Sequence, residues 1–205
     1  MADSYDAVAQ AYAASVAGVD RKPLDLAFLH QFVQRLGRRG PVFDIGCGPG
    51  DVTRYLHDAG VEVEGIDISA AMIAEARRAH PQVAFSVGGF ADLGERPKAP
   101  AGIVAFYSLI HLPPSDLQEA FHRFRRNLQP DGLLLVAFHV GDGATQVDEW
   151  FGKPVSLTGY FFSPAQLSEM LKEAGFTIDS TLIRPPYPEM EFPSERIYLL
   201  ARSEA

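Results

Sequence analysis

The residues with chemical potential start at a turn. Residues 42–56 read VFDIGCGPGDVTRYL, and three glycines, Gly46, Gly48 and Gly50, fall within five positions. Glycine loses more conformational freedom on folding than any other residue, so such a cluster needs a reason. Close approach of a bound molecule to the backbone supplies one. The turn follows PVFDI, a short buried strand, and precedes a helix expected from Asp51 to Ala59. In open α/β sheets ligands sit past the carboxyl ends of the strands, which is where this turn falls.

The spacing discriminates between ligands. A dinucleotide fingerprint needs G-x-G-x-x-G, and its third glycine lets helix and strand pack closely behind the pyrophosphate. Here the spacing is G-x-G-x-G, and Asp51 occupies that third place. A phosphate loop is excluded too, because no Lys-Ser/Thr pair follows. Asp44, just before the turn, is ill suited to a phosphate but suits a cationic or amine-bearing ligand. Asp67 ends a second strand, where a carboxylate can accept from both hydroxyls of a ribose. An adenosine with a cationic tail, S-adenosyl-methionine, satisfies both acids. A nucleotide-binding oxidoreductase on a similar fold and a non-catalytic cofactor-binding interaction protein stay open as alternatives. Cys47 reads as a filler of tight space beside the turn. The six histidines are scattered without ligand spacing, so no metal site is expected.

Elements that could position these groups alternate along the chain. Helices are expected over 5–17 and 24–37, the second with an apolar stripe of Leu26, Leu29, Phe32, Val33 and Leu36. Strands follow at 61–68, in VAFSVG, in GIVAFYSLI and in LLLVAFHV. Helices fall between them, from Ser69 to Ala79 and from Ser115 to Leu128. Residues 89–100 read as loop with a helical turn at most. This alternation implies an α/β, Rossmann-like three-layer sandwich with a mostly parallel sheet. A capped helix, SPAQLSEMLKEAGF, then leads to TIDSTLIR and SERIYLLARS around a Pro-rich turn, an antiparallel addition that brings the sheet to seven strands. Residues 141–162 read as a long aromatic connection with little periodicity, longer than folding alone requires.

At 205 residues the chain fits a single domain, 1–205. A formal net charge of −8 argues against a nucleic-acid partner, which wants a basic face. The single cysteine excludes an internal disulfide framework, and no apolar run approaches a membrane span. The N-terminus lacks the basic-then-apolar order of a secretory signal, so a cytoplasmic location is expected. The expected partner is a small molecule, with neither nucleic acid nor membrane. Monomer and homodimer both remain open.

The ordered set of motifs resembles the class I S-adenosyl-methionine-dependent methyltransferases. Val42–Gly50 looks like the family's motif I, and GIDIS, with Asp67, like its acidic second-strand end. IVAFYSLIHLPP followed by a helix and LQPDGLLLVAF, then FFSPAQLSEMLKEAGFTI, are similar to its later parts. The resemblance is best over about 42–140. It implies that Asp44, Gly46, Gly48 and Gly50 cradle the methionine part of S-adenosyl-methionine and that Asp67 holds the ribose. Ile68 and Met72 would pack on the adenine, with Gly89 and Phe90 beside it. Many relatives have an acid near here for the adenine amine. This chain has glycine, so either Asp92 substitutes or backbone and water serve. Tyr5 and Tyr12 look like tyrosines that close over the methionine carboxylate. Tyr107 and Ser108 would line the boundary between cofactor and acceptor. His111, just past the fourth strand, is the histidine placed to take a proton from the methyl acceptor. Trp150, Tyr160 and Tyr187 are the expected acceptor contacts.

Overall fold

The computed structural model describes residues 1–15, 18–95 and 98–204. Its centre is a seven-stranded sheet in the order β3-β2-β1-β4-β5-β9-β8. The five parallel strands are β1 (Val42–Ile45), β2 (Val63–Asp67), β3 (Ala84–Val87), β4 (Gly102–Phe106) and β5 (Leu133–His139). β9 (Arg196–Ser203) runs antiparallel to β5 on one side and to the edge strand β8 (Phe176–Arg184) on the other. The topology reverses at β1: the chain builds outward through β2 and β3, then returns to place β4 on the other side. That reversal opens a crevice above the carboxyl ends of β1 and β4.

The central strands are apolar almost without interruption because both faces are covered. Phe43, Ile103 and Leu134 face a core built with α5 (Pro114–Asn127) and α6 (Pro164–Glu173). Val42, Val104 and Leu135, one residue out of phase, face α2 (Pro23–Leu36) and α3 (Asp51–Asp58). Ser69 caps α4 (Ala70–Ala79) by accepting the Met72 N–H at 3.1 Å, and Ser163 caps α6 the same way from Gln166 at 3.2 Å.

Three expectations need correction or trimming. The segment 141–162 is not an irregular connection. It forms a hairpin, β6 (Ala144–Trp150) with β7 (Lys153–Tyr160), as a separate two-stranded sheet. Polar residues on both faces of β6 hid the period of two, and Gly152 at φ 69° with Phe151 at φ 52° makes the turn. The fourth strand stops at Phe106, where Tyr107 takes φ 54°, and a 3-10 turn over Leu109–His111 replaces the rest of the apolar run. The first helix, α1, runs over Ala2–Ser15; the expected extension to residue 17 lies outside the described residues, as does part of 89–100.

Candidate functional site

The three glycines of the β1–α3 turn serve three purposes. A Cβ on Gly46 would stand 2.2 Å from the Ser108 Cβ, so its bareness lets β1 and the end of β4 close together. One on Gly50 would strike the Phe85 ring at 2.7 Å. A Cβ on Gly48 would meet nothing within 4 Å, because Gly48 borders open space. All three have left-handed backbone, at φ 70°, 53° and 90° in chain order. The turn is tied down by the Gly46 and Cys47 N–H groups, which donate to the Ile66 carbonyl at 2.7 and 3.1 Å.

The open space is a cavity of about 210 Å³ over the carboxyl ends of β1, β2 and β4. Of the expected cofactor residues, Gly46, Gly48, Asp67, Ile68 and Met72 line it, and so do Gly89, Phe90, Tyr107 and Tyr12. Asp44 and Gly50 do not. The Asp44 carboxylate lies one layer below the turn, 1% exposed, and accepts the Thr53 hydroxyl at 2.6 Å. Direct contact of Asp44 with a ligand is therefore replaced by a supporting place. Burial pushes its pKa up to about 7, against the pull of the Thr53 hydrogen bond, with the neighbouring Asp67 charge adding to the rise.

Asp67 reaches the cavity with capacity to spare. Its Oδ2 accepts from Gly48 N at 2.9 Å and its Oδ1 from Ser69 N at 2.8 Å. Each oxygen has a second acceptor direction, which suits a pair of vicinal hydroxyls. Burial raises its pKa and the two backbone bonds oppose that. Asp92 is not on the cavity wall; its carboxylate accepts the Gly89 N–H at 2.8 Å, shaping the loop there.

The far wall is the end of β4. Ser108 lines the cavity and donates to the Ile45 carbonyl at 2.6 Å, locking β4 to β1. His111 lines it too. Its Nδ1 lies 2.7 Å from the Thr158 carbonyl and its Nε2 2.6 Å from the Tyr5 hydroxyl. A carbonyl only accepts, so Nδ1 carries the proton and Nε2 accepts from Tyr5. Burial lowers the His111 pKa, which favours the uncharged ring of this bonding pattern. His139, at the end of β5, is lowered to about 4 by burial and then by Arg196. It bonds Ser194 at 2.8 Å, off the cavity wall.

Above the cavity sit α1 and the hairpin. Tyr5 and Tyr12 contribute to the wall, and Trp150 packs edge-on to both rings at 6.1 and 5.3 Å. Burial raises both tyrosines, Tyr12 to about 12. The expected acceptor contacts are dispersed. Trp150 stands behind the tyrosines, Tyr160 packs against the main core, and Tyr187 covers the Arg184 guanidinium at 4.2 Å. None of these three lines the wall, whereas Ser108, expected at the boundary with the acceptor, does.

Sequence reasoning missed a buried ionic cluster beside the wall. Arg184 donates to Asp25 at 2.7 Å, to Tyr198 at 2.6 and 3.0 Å and in bidentate fashion to Glu191 at 2.7 and 3.0 Å. Arg196 and Lys22 approach Glu191 at 3.3 and 3.5 Å. Burial would raise Glu191, but Arg184, the Tyr187 N–H and Arg196 together bring it down to about 2. Burial raises Asp25 in spite of Tyr198 and Arg184. The legible signal was Glu191 between Arg184 and Arg196, alternating charges across one Pro-rich turn of apolar strands. Among the described residues no three His, Cys, Asp or Glu side chains converge as for a metal, and no helix is long and apolar enough to cross a membrane.

This arrangement has counterparts among known proteins. The family model of the methyltransferase domain matches residues 18–181. The chain is 42% identical over 94 residues to a malonyl-[acyl-carrier protein] O-methyltransferase of Enterobacter lignolyticus, covering 45% of this chain and 36% of that protein. It is 28% identical over 194 residues to the N-demethylindolmycin N-methyltransferase of Streptomyces griseus, covering 80% and 81%. The chain thus spans about a third of the length of the first relative. In structure it is similar to the CcbJ methyltransferase of Streptomyces caelestis, with a TM-score of 0.73 at 21% identity over 98% and 97% of the two chains. That likeness lies in the fold. With the family model spanning the turn, Asp67 and the β4 wall alike, the chain belongs to the methyltransferase-domain family.

Proposed function

We propose that the protein transfers the methyl group of S-adenosyl-methionine to a small-molecule acceptor by in-line displacement, in the cytoplasm and without nucleic acid or membrane as partner. The observation that carries this reading is the pairing on one cavity wall of open space at Gly48 with the unused acceptor directions of Asp67. The first admits a methionine tail against bare backbone, and the second suits a ribose. The residues fit the cofactor in its flat part too, since Ile68, Met72 and Phe90 give an apolar slot beside Asp67.

When bound, the cofactor supplies an activated methyl. The protein's part is to position and desolvate. Tyr5, Tyr12 and α1 exclude water from above, and the β4 wall fixes the side on which an acceptor sits. His111 is the group available to take the acceptor's proton. Tyr5 occupies its Nε2, so the two act as a pair: Tyr5 must turn away or pass its own proton to Nε2 as it receives another. The names of the relatives, one an O- and one an N-methyltransferase, support methyl transfer without choosing the acceptor atom.

Titration calorimetry tests the reading. S-adenosyl-methionine and its demethylated product should bind, and NAD should not. Asp67→Ala should weaken binding by about 2–4 kcal/mol by removing charge-assisted bonds to the ribose. Unchanged affinity in folded D67A would overturn the assignment. With an acceptor in hand, His111→Ala should slow turnover by about 10²–10⁴ and leave cofactor affinity alone.

A further inference from the structure

Three consecutive residues of α1 make polar ties to the body of the protein, and the third reaches Asp67 through one intermediary. Ser4 bonds the backbone of Ser156 in β7, and Tyr5 bonds His111. Asp6 bonds the start of α4. Its Oδ1 accepts the Ser69 hydroxyl at 2.5 Å and the Ala71 N–H at 3.0 Å. The Ser69 N–H in turn donates to Asp67 Oδ1 at 2.8 Å.

The directions of these bonds are fixed by the groups that make them. A backbone N–H only donates, so the Ser69 oxygen accepts from Met72 at 3.1 Å and its single proton is left for Asp6. An ionised carboxylate only accepts. The Ser69 and Ala71 bonds hold the Asp6 carboxyl below the usual carboxylate range, which keeps it ionised at neutral pH.

The place of these bonds in the fold matters as much as their direction. Asp67, Ile68 and Met72 line the cavity, and the two residues that Asp6 grips, Ser69 and Ala71, stand between them. Ser69 is fully buried although it begins a helix, and α1 packs against α4. The same α1 brings Tyr5 and Tyr12 to the cavity wall. With α1 down, an anion stands at the N-terminus of α4, where the helix dipole favours it. With α1 lifted, the first turn of α4 loses that acceptor.

Resting on the methyl-transfer reading above, we propose that Asp6 is a positioning residue that couples closure of α1 to the grip of the Asp67–Met72 turn on the adenosine half of the cofactor. Adenosine binding then favours the closed helix, and the closed helix favours adenosine binding by the same factor. The amino-acid tail of the cofactor has no part in this coupling. That separates it from closure through Tyr5 and Tyr12, whose expected contact is the methionine carboxylate.

The test uses two ligands that need no acceptor. 5′-Methylthioadenosine carries the adenosine half without the amino-acid tail, and S-adenosyl-homocysteine carries both. Asp6→Ala should weaken each by about fivefold or more in calorimetry. Asp6→Asn keeps an oxygen for Ser69 and Ala71, and should stay within about threefold of the parent for both ligands. Ser4→Ala loosens α1 from the hairpin without touching α4, and should leave 5′-methylthioadenosine affinity within about twofold. In native-state hydrogen exchange, saturating 5′-methylthioadenosine should slow the α1 amides of the parent by about fivefold and those of D6A not at all. A protein merely destabilised by the substitution would still show that slowing. Unchanged 5′-methylthioadenosine affinity in D6A, or equal slowing of α1 in D6A and parent, overturns the coupling. So does an equal loss in S4A, because any loosening of α1 would then suffice. A full loss in D6N overturns the role of the two hydrogen bonds. Binding of S-adenosyl-homocysteine but not of 5′-methylthioadenosine by the parent overturns this inference alone, since the adenosine half would have no grip of its own. Failure of the parent to bind either ligand overturns the cofactor reading itself, and this inference with it.

Discussion

The floor and the cover of the cavity are held by different forces. The floor is the β1–α3 turn with Asp44, Thr53 and Asp67. Its contacts are short, buried and mostly backbone, and it sits directly on the sheet. The cover is α1 with the β6–β7 hairpin. It has its own small apolar cluster, Val8, Val155 and Leu157, separate from the two cores on the faces of the sheet. Polar ties join cover to body: Asp6 accepts from the Ser69 hydroxyl and the Ala71 N–H at 2.5 and 3.0 Å, and Tyr5 reaches His111. A floor of this kind is preorganised and opens only when the domain unfolds. A cover of this kind has little buried apolar area to lose and opens at lower free energy. That division suits a site whose ligand must be enclosed and still exchanged.

The sharpest probe of the floor is Asp44. In the folded protein its pKa is about 7, against about 4 for an exposed carboxylate. Between those values the unfolded chain is ionised while the folded one holds its proton. Stability contributed at this site therefore falls as pH rises from about 4 to 7, and is level on either side. Asp44→Asn keeps an oxygen for Thr53 and never ionises. Its stability relative to the parent should climb over that window by up to about 4 kcal/mol. Denaturant unfolding at pH 4.5, 6 and 7.5 reads it; a constant difference would show that Asp44 titrates normally. A cationic ligand above the turn should lower the pKa and release part of a proton near pH 6, seen as buffer-dependent heat in the parent and absent in D44N.

Two alanines placed two residues apart separate packing from binding within the floor. Gly46→Ala meets Ser108 at 2.2 Å and adds a left-handed alanine, so we expect about 2–4 kcal/mol lost and a clear drop in melting temperature. Gly48→Ala meets no protein atom, and its backbone strain alone should cost about 1 kcal/mol. Its larger effect should be on cofactor affinity. If G48A proved the less stable of the two, Gly48 would be a packing residue and the cavity would not be a methionine site.

The same contrast explains what could be read from the sequence. The floor was legible because its constraints are local. Three glycines, two strand-end acids and a Ser cap each carry their reason within a few residues, and the apolar runs of β1, β4 and β5 fix the sheet. Asp44 shows the limit, since whether a strand-end carboxylate points up at a ligand or down at Thr53 is settled by the next helix. The cover was only half legible. Tyr5 and Tyr12 stood out by type, but their partners, His111 for Tyr5 and Trp150 for both, lie more than 100 positions away. The strand period of 144–160 was masked by polar residues on both faces of β6, where most positions are exposed. Nor could spacing show that Arg184, Glu191 and Arg196 converge on Asp25 and Tyr198, because burial of charge is decided by four elements meeting.

The smallest expected effect tests the cover most directly. Ser4 is the residue of α1 that hydrogen-bonds the backbone of the hairpin: it accepts the Ser156 N–H at 3.0 Å, and its hydroxyl lies 3.3 Å from the Ser156 carbonyl. Ser4→Ala removes both and leaves Val8 and Leu157 in contact. A net intramolecular hydrogen bond is worth about 1 kcal/mol, and part of this one is recovered by water when the cover lifts. If cover and body unfolded as one unit, that loss would appear in the global transition. If the cover opens on its own, the global transition is insensitive to a bond already broken in the open state. Native-state hydrogen exchange distinguishes the two. We expect the amides of α1 and β7 to exchange about fivefold faster in S4A, the strands β1, β4 and β5 to be unchanged, and the melting temperature to move by no more than about 1 °C. Added S-adenosyl-homocysteine should restore the protection of α1 in S4A, because a ligand that binds only beneath the closed cover stabilises that state by mass action. Faster exchange spread evenly over the sheet would mean that floor and cover form one cooperative unit, and that the ligand enters by another route.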